Sequence, residues 1–139
     1  TVINGKTLKA LPTRDALLPA IMLLSASLAS GSISSIVEAC SLRFSASDRI
    51  KNFATDKSKA LIAKHSDEPS GLIKQLGFND VTITQVNTTD GLRMTLSSDD
   101  VVHLRPSGNA PELRCYAESA NEATAQALVV KVLNKVVEL

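Results

Sequence analysis

The sequence predicts an α+β fold: an antiparallel four-stranded sheet with helices packed on one face, preceded by a separate helical segment. Three observations carry this reading. Apolar-alternating runs at 81–87, 92–97, 101–105 and 113–118 follow one another across short connections, as antiparallel neighbours require. Residues 120–137 read as a helix with a defined start. Residues 15–30 read as a helix apolar most of the way round, which needs cover on several sides.

Composition narrows the class. The chain has 139 residues, room for one domain or one domain plus a fragment. With 44% hydrophobic and only 3% aromatic residues, its core is built from Leu, Ile, Val and Ala. Net charge is +1, from 15 basic and 14 acidic residues. That balance argues against a nucleic-acid partner but leaves room for a local anion site. The apolar run 17–28 is short and interrupted by Pro19 and serines, so no membrane partner is expected. Cys40 and Cys115 lie far apart with no CxxC pair or Cys/His cluster, which argues against zinc. Reduced, buried thiols in a cytoplasmic protein are the expectation. The chain starts at Thr1 rather than Met, which fits a processed or excised fragment.

Along the chain, Asn4-Gly5 between short apolar runs signals a hairpin. Thr13 is placed to cap the following helix, with Asp15 in its first turn and Gly31 at its end. Arg14 and Asp15 are assigned to helix initiation. A short helix fits 34–40, and 43–50 reads as extended. Residues 56–65 form a helix with Ala60, Leu61 and Ala63 inward, and 68–76 a shorter one closed by Gly77. In the strands, Leu92, Met94 and Leu96 share a face, as do Val102 and Leu104, and Leu113, Cys115 and Ala117. Ser119 and Glu122 have capping-box spacing for the last helix. Ala123, Ala127, Val130 and Val137 are placed on one side of it, with Lys131, Lys135 and Glu138 on a solvated side.

The chemistry concentrates in Arg105-Pro106-Ser107-Gly108-Asn109-Ala110-Pro111, between the last two strands. Arg105 offers a planar fork for two phosphate oxygens. Ser107 offers a hydroxyl and Asn109 an amide. Gly108 can take positive φ and let backbone N–H groups converge on an anion. The two prolines lower the entropy cost of holding the loop. Pro, Ser, Gly and Asn are also ordinary turn residues, and physics alone leaves both readings open. Arg114 is a tentative phosphate contact, because it lies near the loop but can equally pair with an acid. His103 shares a strand face with Arg105 and reads as a packing or surface residue. Asp99-Asp100 reads as a solvated turn, and Asp48, Arg49 and Lys51 as a mixed-charge surface. No catalytic residue and no metal ligand is assigned in this chain.

At this loop the sequence resembles the α-D-phosphohexomutase family, whose final domain carries Arg-x-Ser-(Gly/Asn)-(Thr/Asn)-x-Pro. Arg105, Ser107, Gly108, Asn109 and Pro111 match. Ala110 stands where many members have Glu, and Asn109 where many have Thr. The stretch 89–94 resembles the family's Asp-Gly strand entry, and 11–19 and 45–53 are similar to phosphomannomutase-type members. The resemblance implies that 43–139 is the fourth, phosphate-binding domain, of the TATA-box-binding-protein-like type. Residues 1–42 would be the tail of the third, α/β domain. It further implies a parent enzyme interconverting hexose 6-phosphate and hexose 1-phosphate, foremost a phosphomannomutase, through a bisphosphate intermediate. Mg2+ and the phosphorylated serine would lie outside this chain, which alone would be inactive. The implied partners are the hexose phosphates and the other mutase domains. The alternatives are a phosphoglucomutase or phosphoglucosamine mutase fragment, and a non-catalytic phosphate-binding or interaction module.

Overall fold

The computed structural model describes residues 2, 3, 5–7, 9, 10, 16–40 and 43–139. The chain divides into two compact units, Thr1–Ser41 and Leu42–Leu139.

In the first unit, β1 (Val2–Ile3) and β2 (Lys6–Thr7) pair antiparallel about Gly5, whose φ of 74° suits a tight hairpin turn. Helix α1 (Leu17–Ser30) stops at Gly31, with φ 85° at the position where a side chain would strain. The roles expected of Thr13, Arg14 and Asp15 lie outside the described residues. Helix α2 (Ile33–Cys40) follows, and the Ser32 hydroxyl accepts from the Ser35 N–H at 3.1 Å, capping its first turn. No residue of α1 is buried; Leu17, Ile21, Leu24 and Leu28 are exposed. No single helix among the described residues is long and apolar enough to cross a membrane.

The second unit runs β3 (Phe44–Lys51), α3 (Thr55–Ser66), α4 (Ser70–Gln75), β4 (Ile83–Asn87), β5 (Leu92–Leu96), β6 (Val101–Pro106), β7 (Glu112–Ser119) and α5 (Glu122–Val137). The sheet is antiparallel in the order β3-β7-β6-β5-β4. It therefore has five strands rather than the four expected. The extended segment at 43–50 is the fifth, paired with β7 from Phe44↔Ser119 to Lys51↔Glu112. Its sequence hides this because Asp48 interrupts the inward-facing set Ala46, Asp48, Ile50, and because its partner is distant along the chain. The meander β4 to β7 forms from adjacent hairpins, as its short turns dictate.

The alternation in the strands places side chains as the period of two requires. Leu92, Met94, Leu96, Val102, Leu104, Leu113, Cys115 and Ala117 are all buried on the helix-covered face. From α4 and its C-cap come Leu72, Ile73 and Leu76, and from α5 Leu128, Val129, Val132, Leu133 and Val136. Each fully buried aliphatic side chain contributes about 1.5–3 kcal/mol, so this face dominates the stability of the unit.

Several local expectations are corrected. The buried stripe of α5 is Ala125, Leu128, Val129, Val132, Leu133 and Val136, whereas Val130 and Val137 are exposed. The stripe follows i, i+3, i+4 spacing, which the set 123, 127, 130, 137 does not sustain beside it. The α5 cap is Asn121, whose side chain accepts from the Thr124 N–H at 2.8 Å. Ser119 is instead buried as the last residue of β7, so its hydroxyl is withdrawn from capping. In α3 the buried positions are Ser58 and His65, while Ala60 and Ala63 are exposed. Cys115 is buried, but Cys40 is exposed. Burial, and secondarily the Asp48 carboxylate, push the Cys115 thiol up to about 12.

Candidate functional site

The face of the sheet away from the helices is polar. Period-two alternation puts Ser47, Arg49 and Lys51 of β3 there, with Glu112, Arg114, Tyr116 and Glu118 of β7, His103 and Arg105 of β6, and Arg93 of β5. The connection between β6 and β7 sits at one end of this face. Ser107 N–H donates to the Glu112 carbonyl at 2.9 Å, and Glu112 N–H to the Ala110 carbonyl at 2.8 Å. Phe53 N–H donates to the Pro111 carbonyl at 2.8 Å, tying the end of β3 to the loop. Backbone bonds on both sides thus hold the loop before any ligand arrives, which is the condition for a low entropy cost on binding.

The expected donors fall at this one end. Arg105 lies on β6 just before the loop and is partly exposed, while Ser107 is buried at its entry. Gly108 and Asn109 form its exposed tip. Gly108 does not use the positive φ open to it, and a Cβ there would meet nothing within 4 Å. The loop already turns through Pro106, Pro111 and its backbone hydrogen bonds, so Gly108 leaves the approach open rather than making the bend.

The glycine that the fold does demand is Gly91, with φ 96°; a Cβ on it would lie 2.3 Å from the Leu104 carbonyl oxygen. This close approach brings Asp90 against β6. Arg105 Nε then lies 2.9 Å from Asp90 Oδ1. His103 Nε2 donates to the Asp90 carbonyl at 2.6 Å, and its ring packs 5.6 Å from that of Tyr116. His103 is therefore a tie between β6 and the β4–β5 turn. The Asp90 contact uses Nε of Arg105, and among the described residues no hydrogen bond is made by its two terminal nitrogens. The Asp90-Gly91 pair is visible in the sequence, but its link to Arg105 arises only where the β4–β5 turn meets β6.

Arg114 is placed differently. It stands directly opposite Arg105 on one side and Arg49 on the other. Its Nη2 is 3.8 Å from Glu112 Oε2, and its buried Nε has no hydrogen-bond partner among the described residues. It lines a depression of about 320 Å³ with Ser47, Asp48, Arg49, Lys51 and Tyr116, not with the loop residues. Among the described residues, no three His, Cys, Asp or Glu side chains gather to hold a metal ion. Asp99 and Asp100 do not form such a group; Asp100 instead accepts from the Ser98 hydroxyl at 2.8 Å. The described residues do not fit a magnesium site.

Taken together, the second unit defines an α+β domain with a backbone-tied loop at the end of its polar sheet face. Residues 49–135 match the family described as phosphoglucomutase/phosphomannomutase, C-terminal domain. The chain belongs to this phosphohexomutase family and carries its C-terminal domain. It is 44% identical over 134 residues to a phosphomannomutase of Salmonella muenchen, covering 96% of this chain and 28% of that protein. It is 38% identical over 132 residues to a phosphomannomutase of Sinorhizobium fredii, covering 92% of this chain and 27% of that protein. The chain thus spans a little over a quarter of the length of these relatives.

Proposed function

We propose that residues 43–139 grip the phosphate group that is not being transferred in a hexose phosphate mutase, foremost one acting on mannose phosphates. Residues 1–42 are the tail of the preceding domain in this reading. The observation that carries it is the loop itself, held by backbone bonds on both sides with Arg105 at its mouth. The terminal nitrogens of Arg105 supply a bidentate fork. The Ser107 hydroxyl, the Asn109 amide and the backbone N–H groups at Gly108 and Asn109 supply neutral donors. Each charge-assisted bond contributes about 1.5–3 kcal/mol, enough for a few of them to dominate the binding of one phosphate.

A grip of this kind suits interconversion of 6- and 1-phosphates through a bisphosphate. The intermediate must be held in either orientation, so the distal contact should read phosphate rather than sugar. The transferring serine and Mg2+ belong to other domains of the parent enzyme, and this chain alone turns nothing over. The exposed Asp90–Arg105 pair is worth little to stability and can yield to a phosphate oxygen at small cost.

The test is the parent enzyme assayed on mannose, glucose and glucosamine phosphates, with and without Arg105→Ala. The expected result is a preference for mannose phosphate and a fall in kcat/KM of at least about tenfold in the variant. An unchanged kcat/KM sinks the assignment of Arg105. A preference for glucose or glucosamine phosphate keeps the grip and moves the substrate.

A further inference from the structure

The depression between β3 and β7 is not part of the loop site. Five of its lining residues, Ser47, Arg49, Lys51, Arg114 and Tyr116, present side chains to the open sheet face. Asp48 alternates to the opposite side, where it faces Cys115 across the strand pair. The register sets Arg49, Arg114 and Arg105 directly opposite one another across β3, β7 and β6. Like charges directly opposite each other on a sheet are destabilising.

The compensation within the fold is incomplete. Arg105 has Asp90. Arg49 and Arg114 share one carboxylate, Glu112, at 3.5 and 3.8 Å, both too long for good hydrogen bonds. Lys51 stands opposite Glu112 in the register but makes no ion pair with it. Arg114 Nε is buried with no partner among the described residues, and an orphaned donor of this kind needs an explanation. The depression therefore combines three cationic side chains with the single carboxylate of Asp48, which accepts from the Arg49 N–H, and the hydroxyls of Ser47 and Tyr116.

We propose that this face carries a second oxyanion site, specific for a phosphate dianion and separate from the 105–111 loop. Arg49 and Arg114 supply guanidinium donors from adjacent strands, Lys51 an ammonium, and Ser47 and Tyr116 hydroxyl donors. The phosphate is either free or the end group of a phosphorylated metabolite. Binding relieves the repulsion along the arginine row, so occupancy also stabilises the β3–β7 pairing.

Backbone amide shifts of the 139-residue chain, titrated with sodium phosphate against sodium chloride of equal ionic strength, test this. Saturable shifts are expected at Ser47, Arg49 and Tyr116 in phosphate only. Arg49→Ala with Lys51→Ala should weaken them at least about tenfold; if that double variant does not fold, Lys51→Gln alone should weaken them in the same direction. Arg105→Ala should leave them intact while removing any shifts at Gly108 and Asn109, so failure of the loop reading and failure of this one are distinguishable. Repeating the titration with a hexose 1-phosphate separates the sources: equal affinity favours free phosphate, tighter binding a phosphate ester. Shifts that are absent, that chloride reproduces, or that Arg105→Ala abolishes overturn the proposal.

Discussion

Helices α1 and α5 are both rich in aliphatic residues, yet they have opposite fates. In α5 six residues are buried, all on one stripe against the sheet. In α1 none is buried, and Leu28 is 88% exposed. The difference is one of pattern rather than of hydrophobicity. Most of the large apolar residues of α5 recur on one face, so a single sheet satisfies them, while Lys131, Lys135 and the exposed Val130 and Val137 lie off it. Apolar residues of α1 surround the axis, and α2 is too short to cover them. The lesson is that a strongly apolar helix marks an unfinished surface unless its apolar residues share a stripe.

The largest expected effect breaks the comparison at its core. Leu104→Ala should cost about 2–5 kcal/mol in denaturant unfolding of the chain. Leu28→Ala, on the exposed surface of α1, should stay within about 0.5 kcal/mol. Similar losses at both positions would mean that α1 is covered in solution.

The two cysteines sharpen it next, since each unit holds one. Cys40 is exposed, and Cys115 is buried with its thiol pushed up to about 12. Because the thiolate is the reactive form, a disulfide reagent at pH 8 should label Cys40 at least about 100-fold faster. A smaller effect comes from the α5 cap. Asn121→Ala should lower stability by about 1 kcal/mol, while Glu122→Ala, which removes the side chain a capping box would need, should cost less. Equal losses would restore the Ser119–Glu122 box.

The smallest effect is a pH dependence from His65. Burial, helped by Lys64, lowers its pKa in the folded domain. The unfolded chain then binds the proton more readily, so the contribution is present above the ordinary histidine range and is lost as pH falls through it. The melting temperature should decline slightly from pH 7.5 to 5.5, and His65→Gln should flatten that decline.

Much of the second unit was legible because strand alternation is a local property. Leu92, Met94, Leu96, Val102 and Leu104 could be assigned to the core from spacing alone, and short turns named their neighbours. The 105–111 loop was legible because its donors and its prolines are contiguous. Other features depended on residues that meet only in the fold. Asp48 obscured β3 until β7 supplied a partner for all eight of its residues. The α5 cap moved to Asn121 because β7 runs on through Ser119. Gly108 is free to take positive φ by its residue type, but the backbone clash is at Gly91, which only the approach of Leu104 reveals.

By itself, then, the sequence determined which strand faces are apolar and where the hairpins turn, since these follow from local period and composition. The tertiary structure alone decided that Asp90 meets Arg105 and that Arg49, Arg114 and Arg105 form one row. Register joins residues far apart in the chain, and no local propensity encodes which charge will stand opposite which.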